Sequence, residues 1–511
     1  MPVPVIGSIL KNAIENRGSG DPMYTNVKGI QVAELRKLLR KSQNTEFGQR
    51  YNFNQLLKSS DEDIVRAYQS TVPVFDYNSM YTAWWKRSIE GESNISWPGK
   101  TKYFALSSGT SESSSKYIPV TNDMVKQIRK TSIRQALSLA HYDLPKEFYT
   151  KGVLMLGGST HLDYNGVYYE GDLSGINTGK LPFWFQRFYY PGKKISKEKD
   201  WNKKLDEIVR KAKDWDIGAI VGVPAWLQIL IERIIDHYDL TTIHDIWPHL
   251  SIFVHGGVAF QPYKTGFEKL LAHPLIYMET YLASEGFIAL QTRPNVDSMQ
   301  LVADNGIFLE FVPFNDDNFD EDGNVKQNPV SIPIDEVEEG VMYGLLLSTN
   351  SGAWRYLIGD TIKFTDKKRC EIQITGRTKH YLSMCGEHLS QENMNMAIQL
   401  LEEQLEIEIP EFTVTGQKHD SMFAHSWYIG TNAKVDPAVV KQKLDENLKA
   451  LNDDYKTERI AAIKDIHVKV LPTSVFYDWM EKKGKTGGSF KFPRVLKEQQ
   501  LEDWSDFLKN Y

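Results

Sequence analysis

The chain has 511 residues, which is too long for a single compact core. Of these residues, 41% are hydrophobic and 25% are charged, a composition that excludes wholesale disorder. Its formal net charge of -6 excludes the concentrated basic surface of a nucleic-acid-binding protein. Its two cysteines, Cys370 and Cys385, exclude a disulfide framework, and no run approaches the roughly 18 apolar residues of a membrane-spanning helix. We therefore expect a cytoplasmic protein that acts on small molecules and has no nucleic-acid or membrane partner.

Helices dominate the first hundred residues, where Val32, Leu35, Leu38 and Leu39 fall at helical spacing. Short apolar runs then alternate with amphipathic ones. Strands are predicted at residues 152–157, 217–223 and 250–255, with helices around 205–212 and 225–238. This βαβα alternation predicts a mostly parallel sheet covered by helices, with sites at the carboxyl ends of the strands.

The pattern changes after residue 306. Closely spaced strands up to Thr375 predict a barrel-like subdomain or second sheet. A helix over 391–405, strands near Phe412 and Trp427, and a helix carrying Val440, Leu444 and Leu448 then predict a small α+β domain. The fold class is therefore α/β, with an N-terminal domain over residues 1–376 and a C-terminal domain over 377–511.

A hydroxyl-rich segment follows the apolar residues 103–106. Its cluster of hydroxyls, glycine and free backbone amides is typical of an anion cradle, and the lysine at its end adds positive charge. The residues concerned are Ser107, Ser108, Gly109, Thr110, Ser111 and Lys116. It is not a Walker loop, because Ser115 precedes the lysine where that pattern needs glycine. By composition alone, a flexible Ser-rich loop explains it better.

Two further segments carry residues suited to a nucleotide. Tyr281 could stack on a purine, and Glu285, four residues later and just after Ser284, could hold Mg²⁺, which prefers oxygen ligands. Asp360 follows Gly359 and could accept hydrogen bonds from both hydroxyls of a ribose. Taken singly, a tyrosine is more often a core residue, a glutamate is more often solvated, and an aspartate beside glycine is ordinary turn chemistry.

The last two segments contain isolated basic residues among glycines. Arg377 follows Gly376 at the predicted domain boundary, and Lys491 lies between a Gly-Gly pair and Pro493, where no continuous helix can form. Solvent exposure is the usual fate of such a lysine. The histidines have no metal-ligand spacing, and the chain lacks the nucleophile elbow and the dinucleotide fingerprint.

In this order and at these intervals, the five segments resemble the acyl-acid amido synthetases named for the plant auxin-responsive Gretchen Hagen genes, within the luciferase-like adenylate-forming superfamily. The stretches Thr45–Gly48 and Trp97–Lys100 add to the resemblance. The resemblance implies a large α/β domain with a mobile C-terminal lid. It also implies an ATP-dependent ligase that adenylates a carboxylic acid, releases pyrophosphate, and transfers the acyl group to an amino acid with release of AMP.

The resemblance also implies roles for single residues. Ser108 to Ser111 would line the triphosphate, Tyr281 would lie against adenine, and Ser284 and Glu285 would face phosphate and Mg²⁺. Asp360 would hold the ribose, Arg377 would sit at the hinge, and Lys491 would swing in. Two positions depart from the family pattern, because Ser113 replaces a glycine and Leu282 is bulkier than usual.

The acid pocket is drawn only loosely, from apolar residues near predicted strand ends, and plain core packing explains these residues at least as well. They are Val223, Pro224, Leu227, Val258, Ala259 and Phe260. Two other functions stay open from the residues themselves. One is an acyl-coenzyme A or carrier-protein thioester ligase, which shares the adenylation step. The other is a non-catalytic nucleotide- or acid-binding protein of the same fold.

Overall fold

A computed structural model describes residues 3–18, 23–110, 113–179, 185–257, 260–320, 323–379, 381–419, 422–483, 492–496, 498–509 and 511. Its internal contacts divide the chain into two units. Unit 1 comprises Met1–Leu106 and Tyr117–Thr378, and unit 2 comprises Ser107–Lys116 and Lys379–Tyr511. Within the described residues, no helix is long and apolar enough to cross a membrane.

A layer of helices opens unit 1, as the spacing of its apolar residues predicts. The helices are α1 (Val3–Gly18), α2 (Val27–Ser42), α3 (Glu46–Arg50), α4 (Phe53–Leu56), α5 (Ile64–Thr71), α6 (Tyr77–Met80) and α7 (Lys86–Ile89), with a π-helical turn at Tyr81–Trp85. The Asn26 side chain caps α2 by accepting a hydrogen bond from the Gly29 amide. Val32, Leu35, Leu38 and Leu39 of α2 are all buried, which confirms the predicted face.

A small sheet follows in the order β2-β1-β5-β4. Its strands are β1 (Tyr103–Thr110), β2 (Ser113–Val120), β4 (Asp163–Tyr164) and β5 (Tyr169–Gly171), and β3 (Gly152–Leu156) belongs to the large sheet described next. Helix α8 (Asn122–Ser138) begins directly after β2, where the Thr121 hydroxyl accepts a hydrogen bond from the Met124 amide.

The parallel half of the large sheet has the order β6-β3-β7-β8-β9. Its other strands are β6 (Tyr189–Tyr190), β7 (Ile217–Gly222), β8 (Ile252–Gly256) and β9 (Ile276–Ala283), and the connecting helices are α9 (Leu173–Thr178), α10 (Gly192–Ser196), α11 (Trp201–Lys211), α12 (Pro224–Tyr238) and α13 (Gln261–Glu268). Short 3₁₀ turns lie at Leu139–His141, Phe148–Thr150, Ala212–Asp214 and Ile243–Asp245. The predicted α/β class and its parallel strands are confirmed.

The strands after β9 continue the same sheet. They are β10 (Gly286–Leu290), β11 (Met299–Leu301), β12 (Ile307–Pro313), β13 (Ile332–Pro333), β14 (Met342–Thr349), β15 (Tyr356–Asp366) and β16 (Glu371–Arg377). The complete sheet has 12 strands in the order β13-β12-β14-β15-β16-β11-β10-β9-β8-β7-β3-β6. The strands predicted as a barrel-like subdomain are thus hydrogen-bonded in one series with the parallel strands.

A buried ion pair joins β12 to the start of β15. The Arg355 Nε lies 3.2 Å from an oxygen of Glu310, and the Arg355 and Glu310 residues are 4% and 1% exposed. The Arg355 guanidinium also donates to the carbonyls of Gln69 and Val72 and to the Ser331 hydroxyl. One arginine therefore satisfies polar groups from the helical layer and from the sheet.

Removing the carboxylate of this pair is expected to destabilise unit 1 strongly. Glu310→Ala leaves the Arg355 charge buried and unpaired, which typically costs roughly 3–5 kcal/mol. The matched control is Glu336→Ala, which removes the exposed partner of Arg66 and should cost less than about 1 kcal/mol. Urea denaturation of both variants compares the two losses, and equal losses would contradict this assignment.

Unit 2 contains a three-stranded sheet in the order β19-β20-β21 and a separate β17-β18 pair. Its strands are β17 (Tyr381–Leu382), β18 (Leu389–Ser390), β19 (Glu411–His419), β20 (Met422–Gly430) and β21 (Ile463–Leu471), and its helices are α14 (Gln391–Leu405), α15 (Pro437–Leu451), α16 (Asp453–Ala461), α17 (Thr473–Lys482) and α18 (Glu498–Lys509). The predicted helix at 391–405 and the strands at Phe412 and Trp427 are confirmed.

A fully buried carboxylate lies at the centre of unit 2. Glu387 accepts a 2.9 Å hydrogen bond from Nε2 of His425 and further bonds from the backbone amides of Met384 and Cys385. Burial alone would raise the pKa of Glu387, but the hydrogen bond and charge of His425, together with the two amides, lower that pKa to about 2. The ionised carboxylate is therefore favoured by the fold.

This depressed pKa predicts a loss of stability in acid. Because the pKa of Glu387 is lower in the folded state than in the unfolded state, its contribution is complete above about pH 4.5 and disappears as the pH falls toward 2. Glu387→Gln should cost roughly 3 kcal/mol at pH 7, and the difference from the original chain should shrink across that window. Denaturation at a series of pH values measures this, with exposed Glu408→Gln as control. A difference that stays constant down to pH 2 would contradict it.

Candidate functional site

Tyr281 and Glu285 lie at the end of β9 and in the turn that follows it. Tyr281 is 6% exposed and belongs to β9, whereas Glu285 is 7% exposed and precedes β10. Ser284, between them, is half-buried. Because a carboxylate is rarely buried without partners, the position of Glu285 calls for a specific environment.

The carboxylate of Asp360 accepts a hydrogen bond from the Tyr281 hydroxyl and lies 3.3 Å from Nε of Arg377. Asp360 and Arg377 are directly opposite each other in the antiparallel β15–β16 ladder. Arg377 Nη2 also donates to the Ile358 carbonyl at 3.3 Å. Residues that are distant in sequence thus meet at one carboxylate.

Gly359 allows this arrangement at the backbone level. Its φ is +92°, a conformation that residues with side chains rarely adopt, and a Cβ there would lie 3.4 Å from Arg377 Nη2. The Thr378 amide donates to the Gly359 carbonyl at 2.8 Å. The glycine before Asp360 is therefore required by the turn of the strand and by the closeness of the guanidinium.

The Glu285 carboxylate is also in contact with a buried tyrosine. Tyr356, at the start of β15 and 1% exposed, hydrogen-bonds Glu285. Burial and the neighbouring carboxylates raise the pKa of both Tyr281 and Tyr356 well above the ordinary value, while the Arg377 charge opposes this rise. Both phenols are therefore neutral hydrogen-bond donors.

A largely apolar cavity of about 330 Å³ lies in unit 1 at the carboxyl ends of β3, β7 and β8. One wall is the face of α8 that carries Val125, Ile128 and Arg129, and Val223 and Trp226 line the end of β7 and the start of α12. Thr280 and Leu282, which flank Tyr281 in β9, form its wall nearest the two carboxylates. This location agrees with the prediction that sites occur where parallel strands end.

The remaining predicted residues are distributed differently. Leu227 is fully buried in α12, Pro224 is the first residue of that helix, and Phe260 packs against Phe253 and His255. Among the residues predicted for the acid pocket, Val223 lines the cavity. Leu282, the bulky departure from the family pattern, is 37% exposed and also lines the cavity.

Several predicted residues cannot be placed. Ser111, Val258, Ala259 and Lys491 lie outside the described residues, and the structure describes no side chain for residues 108–115, so Ser108, Gly109, Thr110 and Ser113 are described as β-strand backbone only. Ser107 and Lys116 are half-buried and belong to unit 2. Their suggested roles stay predictions.

Sequence reasoning missed three polar residues of this region. Tyr356 stands four residues before Asp360 in one motif, and the alternation of an unbroken strand would place both on one face. Arg129 and Lys204 line the cavity from α8 and α11, and no motif marks them. Only their position on helices beside the strand ends could have drawn attention to them.

Three domain models of one family match the chain: the GH3 family N-terminal domain over residues 21–205, the central domain over 300–377 and the C-terminal domain over 392–500. The jasmonoyl-L-amino acid synthetase JAR6 of Nicotiana attenuata is 19% identical over 546 aligned positions, which cover 91% of this chain and 90% of the relative.

Solved structures show the same fold. The GH3.15 acyl acid amido synthetase superposes with a TM-score of 0.59 at 17% identity, covering 94% of each chain. A 2-hydroxyisobutyryl-CoA ligase also gives a TM-score of 0.59, at 12% identity over 94% of this chain and 92% of the ligase. At these identities, the likeness establishes the architecture and leaves the choice of acceptor to other observations.

Proposed function

Because the chain belongs to the GH3 family, we propose that it is an ATP-dependent acyl acid amido synthetase. The observation that carries this proposal is the convergence of Tyr281, Glu285, Tyr356, Asp360 and Arg377 into one cluster in unit 1. In it, Tyr281, Glu285 and Tyr356 are buried, and Asp360 and Arg377 are half-buried. The cluster adjoins the apolar cavity through Thr280 and Leu282. A nucleotide and a small acid are thereby given neighbouring sites.

The reaction proceeds in two steps that balance. An oxygen of the acid carboxylate attacks the α-phosphorus of ATP, and the bond to the β-phosphate oxygen breaks to release pyrophosphate. The amine of an amino acid then attacks the acyl carbon, loses a proton, and expels AMP, which keeps the carboxylate oxygen. The first step is needed because a carboxylate is a poor electrophile until one of its oxygens becomes part of a leaving group.

Asp360 is proposed to accept hydrogen bonds from the ribose hydroxyls, with Tyr281 beside the adenine. A carboxylate offers about four acceptor positions, so the bonds to Tyr281 and Arg377 leave room for a sugar. The half-buried guanidinium of Arg377 lies 3.3 Å from the Asp360 carboxylate and fixes its direction. The aspartate is thus a preorganised acceptor, which binds without first rearranging.

Glu285 is the proposed ligand for Mg²⁺. The described residues contain no group of three His, Cys, Asp or Glu side chains arranged for a metal. One carboxylate nevertheless fits, since Mg²⁺ in phosphate-handling sites is held by one or two carboxylates together with substrate phosphates and water. When bound, Mg²⁺ neutralises phosphate charge, and the neutral Tyr356 phenol orients Glu285 toward it.

Three roles are proposed for residues beyond this cluster. Ser107 to Ser111, with Lys116, hold phosphates, and Lys491 donates to the reacting groups. The segment after Lys491 is well anchored, because Phe492 is buried and Arg494 pairs with Glu411 at 2.7 Å. Residues 377–511 act as a lid, a proposal supported by the division of contacts between Thr378 and Lys379.

The cavity is the proposed site of the acid. Its apolar walls, including Val223, suit the hydrocarbon part of a small acid, and its volume lies at the lower end of the range for small-molecule sites. Family membership favours an amino acid as acceptor over the thiol of a thioester ligase. Acceptor screening, with amino acids against coenzyme A, discriminates between these two.

Loss of the Glu285 charge is expected to reduce adenylation. Glu285→Gln keeps the shape and the contact with Tyr356, yet acid-dependent exchange of pyrophosphate into ATP should fall by about 10²–10³-fold. Tyr356→Phe should cost roughly 10-fold, since it affects only the orientation of Glu285. The matched control is Glu338→Gln, a change at an exposed residue, which should exchange normally. Normal exchange by Glu285→Gln would refute its role.

Asp360→Asn is expected to act on nucleotide binding. The charge that faces both Arg377 and the ribose is lost, so the KM for ATP should rise by about 10- to 100-fold. Asp366→Asn, at the far end of the same strand, is the control and should leave this KM unchanged. An unchanged KM in Asp360→Asn would place the ribose elsewhere.

Lys491→Ala tests the proposed donation by Lys491 to the reacting groups, and pyrophosphate exchange is expected to fall by about 10²-fold.

A further inference from the structure

One end of the acid cavity carries a buried lysine that the proposed reaction does not use. Lys204 of α11 is 3% exposed, and its Nζ donates a 3.2 Å hydrogen bond to the Gly157 carbonyl at the end of β3. Both residues line the cavity. An ammonium group has three N–H donors, and lysine is rarely buried to this degree unless its charge serves a purpose.

Other polar groups surround this end of the cavity. The Ser174 hydroxyl accepts a 2.9 Å hydrogen bond from the Gly158 amide, next to the carbonyl that Lys204 binds. Asn177 stands three residues further along α9 and also lines the cavity. Both polar atoms of its side-chain amide are buried and have no hydrogen-bond partner in the part of the chain that the structure describes.

The position of Lys204 relative to the reacting end follows from the sheet order. β3 is separated from β9 by β7 and β8, so three strand spacings, about 14 Å, separate the Gly157 end from the Thr280 end. The proposed nucleotide site adjoins Thr280 and Leu282. An acid whose carboxylate meets the nucleotide there therefore directs its far end toward Lys204.

The local charge decides what kind of group fits. Asp172 lines the same cavity as Lys204. Burial lowers the pKa of Lys204, and the charges of Asp172 and Glu198 oppose this shift. Neither forms an ion pair with it within the described residues. Because negative charge is already close by, a neutral oxygen acceptor fits this end better than a second carboxylate, which Asp172 and Glu198 would repel.

We propose that the acid activated by this chain carries a hydroxyl or carbonyl oxygen at the end remote from its reacting carboxylate, and that Lys204 donates a hydrogen bond to that oxygen. The inference rests on the proposed function, because it assumes that the acid occupies this cavity. It makes Lys204 a specificity-determining residue and names the substrate class as extended acids with an oxygen at the remote end.

The test compares matched acids in pyrophosphate exchange with the full chain. Suitable sets span the separation of the two ends: decanoate with 10-hydroxydecanoate and the diacid sebacate, and 5-phenylpentanoate with 5-(4-hydroxyphenyl)pentanoate. A hydrogen bond to a charged group predicts that kcat/KM is about 10- to 100-fold higher for the hydroxylated acid in the better-used set. Equal or better use of the plain acid, or a preference for the diacid, would overturn the inference.

Substitutions in α11 then test whether Lys204 causes the preference for the hydroxylated acid. Lys204→Met keeps the length of the side chain and is expected to reduce the preference to within about threefold while exchange with the plain acid persists. Lys203→Met, at the exposed neighbouring position, should keep the full preference. A preference that survives Lys204→Met would overturn the role of Lys204. If Lys204→Met does not fold, Lys204→Arg, which keeps the charge and the donors, should retain a preference that Lys204→Gln loses.

The failure of the two proposals can be told apart. Exchange with plain acids at undiminished efficiency leaves the synthetase function intact and removes only the proposed substrate class. If no acid of either set supports exchange while ATP still binds, the adenylating function fails, and the inference about the acid fails with it.

Discussion

The carboxylate of Asp360 joins β9 to the adjacent strands β15 and β16, and the candidate site depends on that junction. It receives the Tyr281 hydroxyl from β9 and faces the Arg377 guanidinium from β16. Asp360 is half-buried, and these two partners fix the direction of its carboxylate. The hydrogen bond to Asp360 also fixes the side chain of Tyr281, whose neighbours in β9, Thr280 and Leu282, line the cavity.

A consequence is that the proposed nucleotide site and the proposed acid site share one strand. β9 contributes Tyr281 to the cluster and its two neighbours to the cavity wall. Alternation along a strand sends successive side chains to opposite faces, so one segment can serve two ligands at once. This suits an enzyme that must bring a carboxylate oxygen to the α-phosphorus of ATP, because proximity and orientation account for a large share of such a rate increase.

Much of the fold could be predicted from the sequence, because the signals are local. The parallel strands are apolar runs that end at glycines, and α2 shows its buried face by spacing alone. Tyr281, Glu285, Asp360 and Arg377 were predicted individually. Their meeting was not predicted from spacing, since the β15–β16 register shifts between Thr361 and Ile362, and such an irregularity has no sequence signature.

The cavity was harder to predict for a different physical reason. Apolar residues in a cavity wall and apolar residues in the core have the same periodicity, so Val223 and Leu227 could not be distinguished. Lys204 directly precedes the apolar residue Leu205 in α11, and its sequence context gives no sign of burial. Only the three-dimensional arrangement shows it buried next to Gly157. Polar residues that face a cavity therefore become visible only when the surrounding strands and helices are in place.

The most direct test of activation through an acyl-adenylate follows a carboxylate oxygen of the acid into the products. An acid labelled with ¹⁸O in its carboxylate is incubated with the chain, ATP and an amino acid, and the products are analysed by mass spectrometry. Activation as an acyl-adenylate predicts one labelled oxygen in AMP and an unlabelled pyrophosphate, together with the amide. Label in inorganic phosphate with formation of ADP, or amide formation without transfer of label to AMP, would contradict the account.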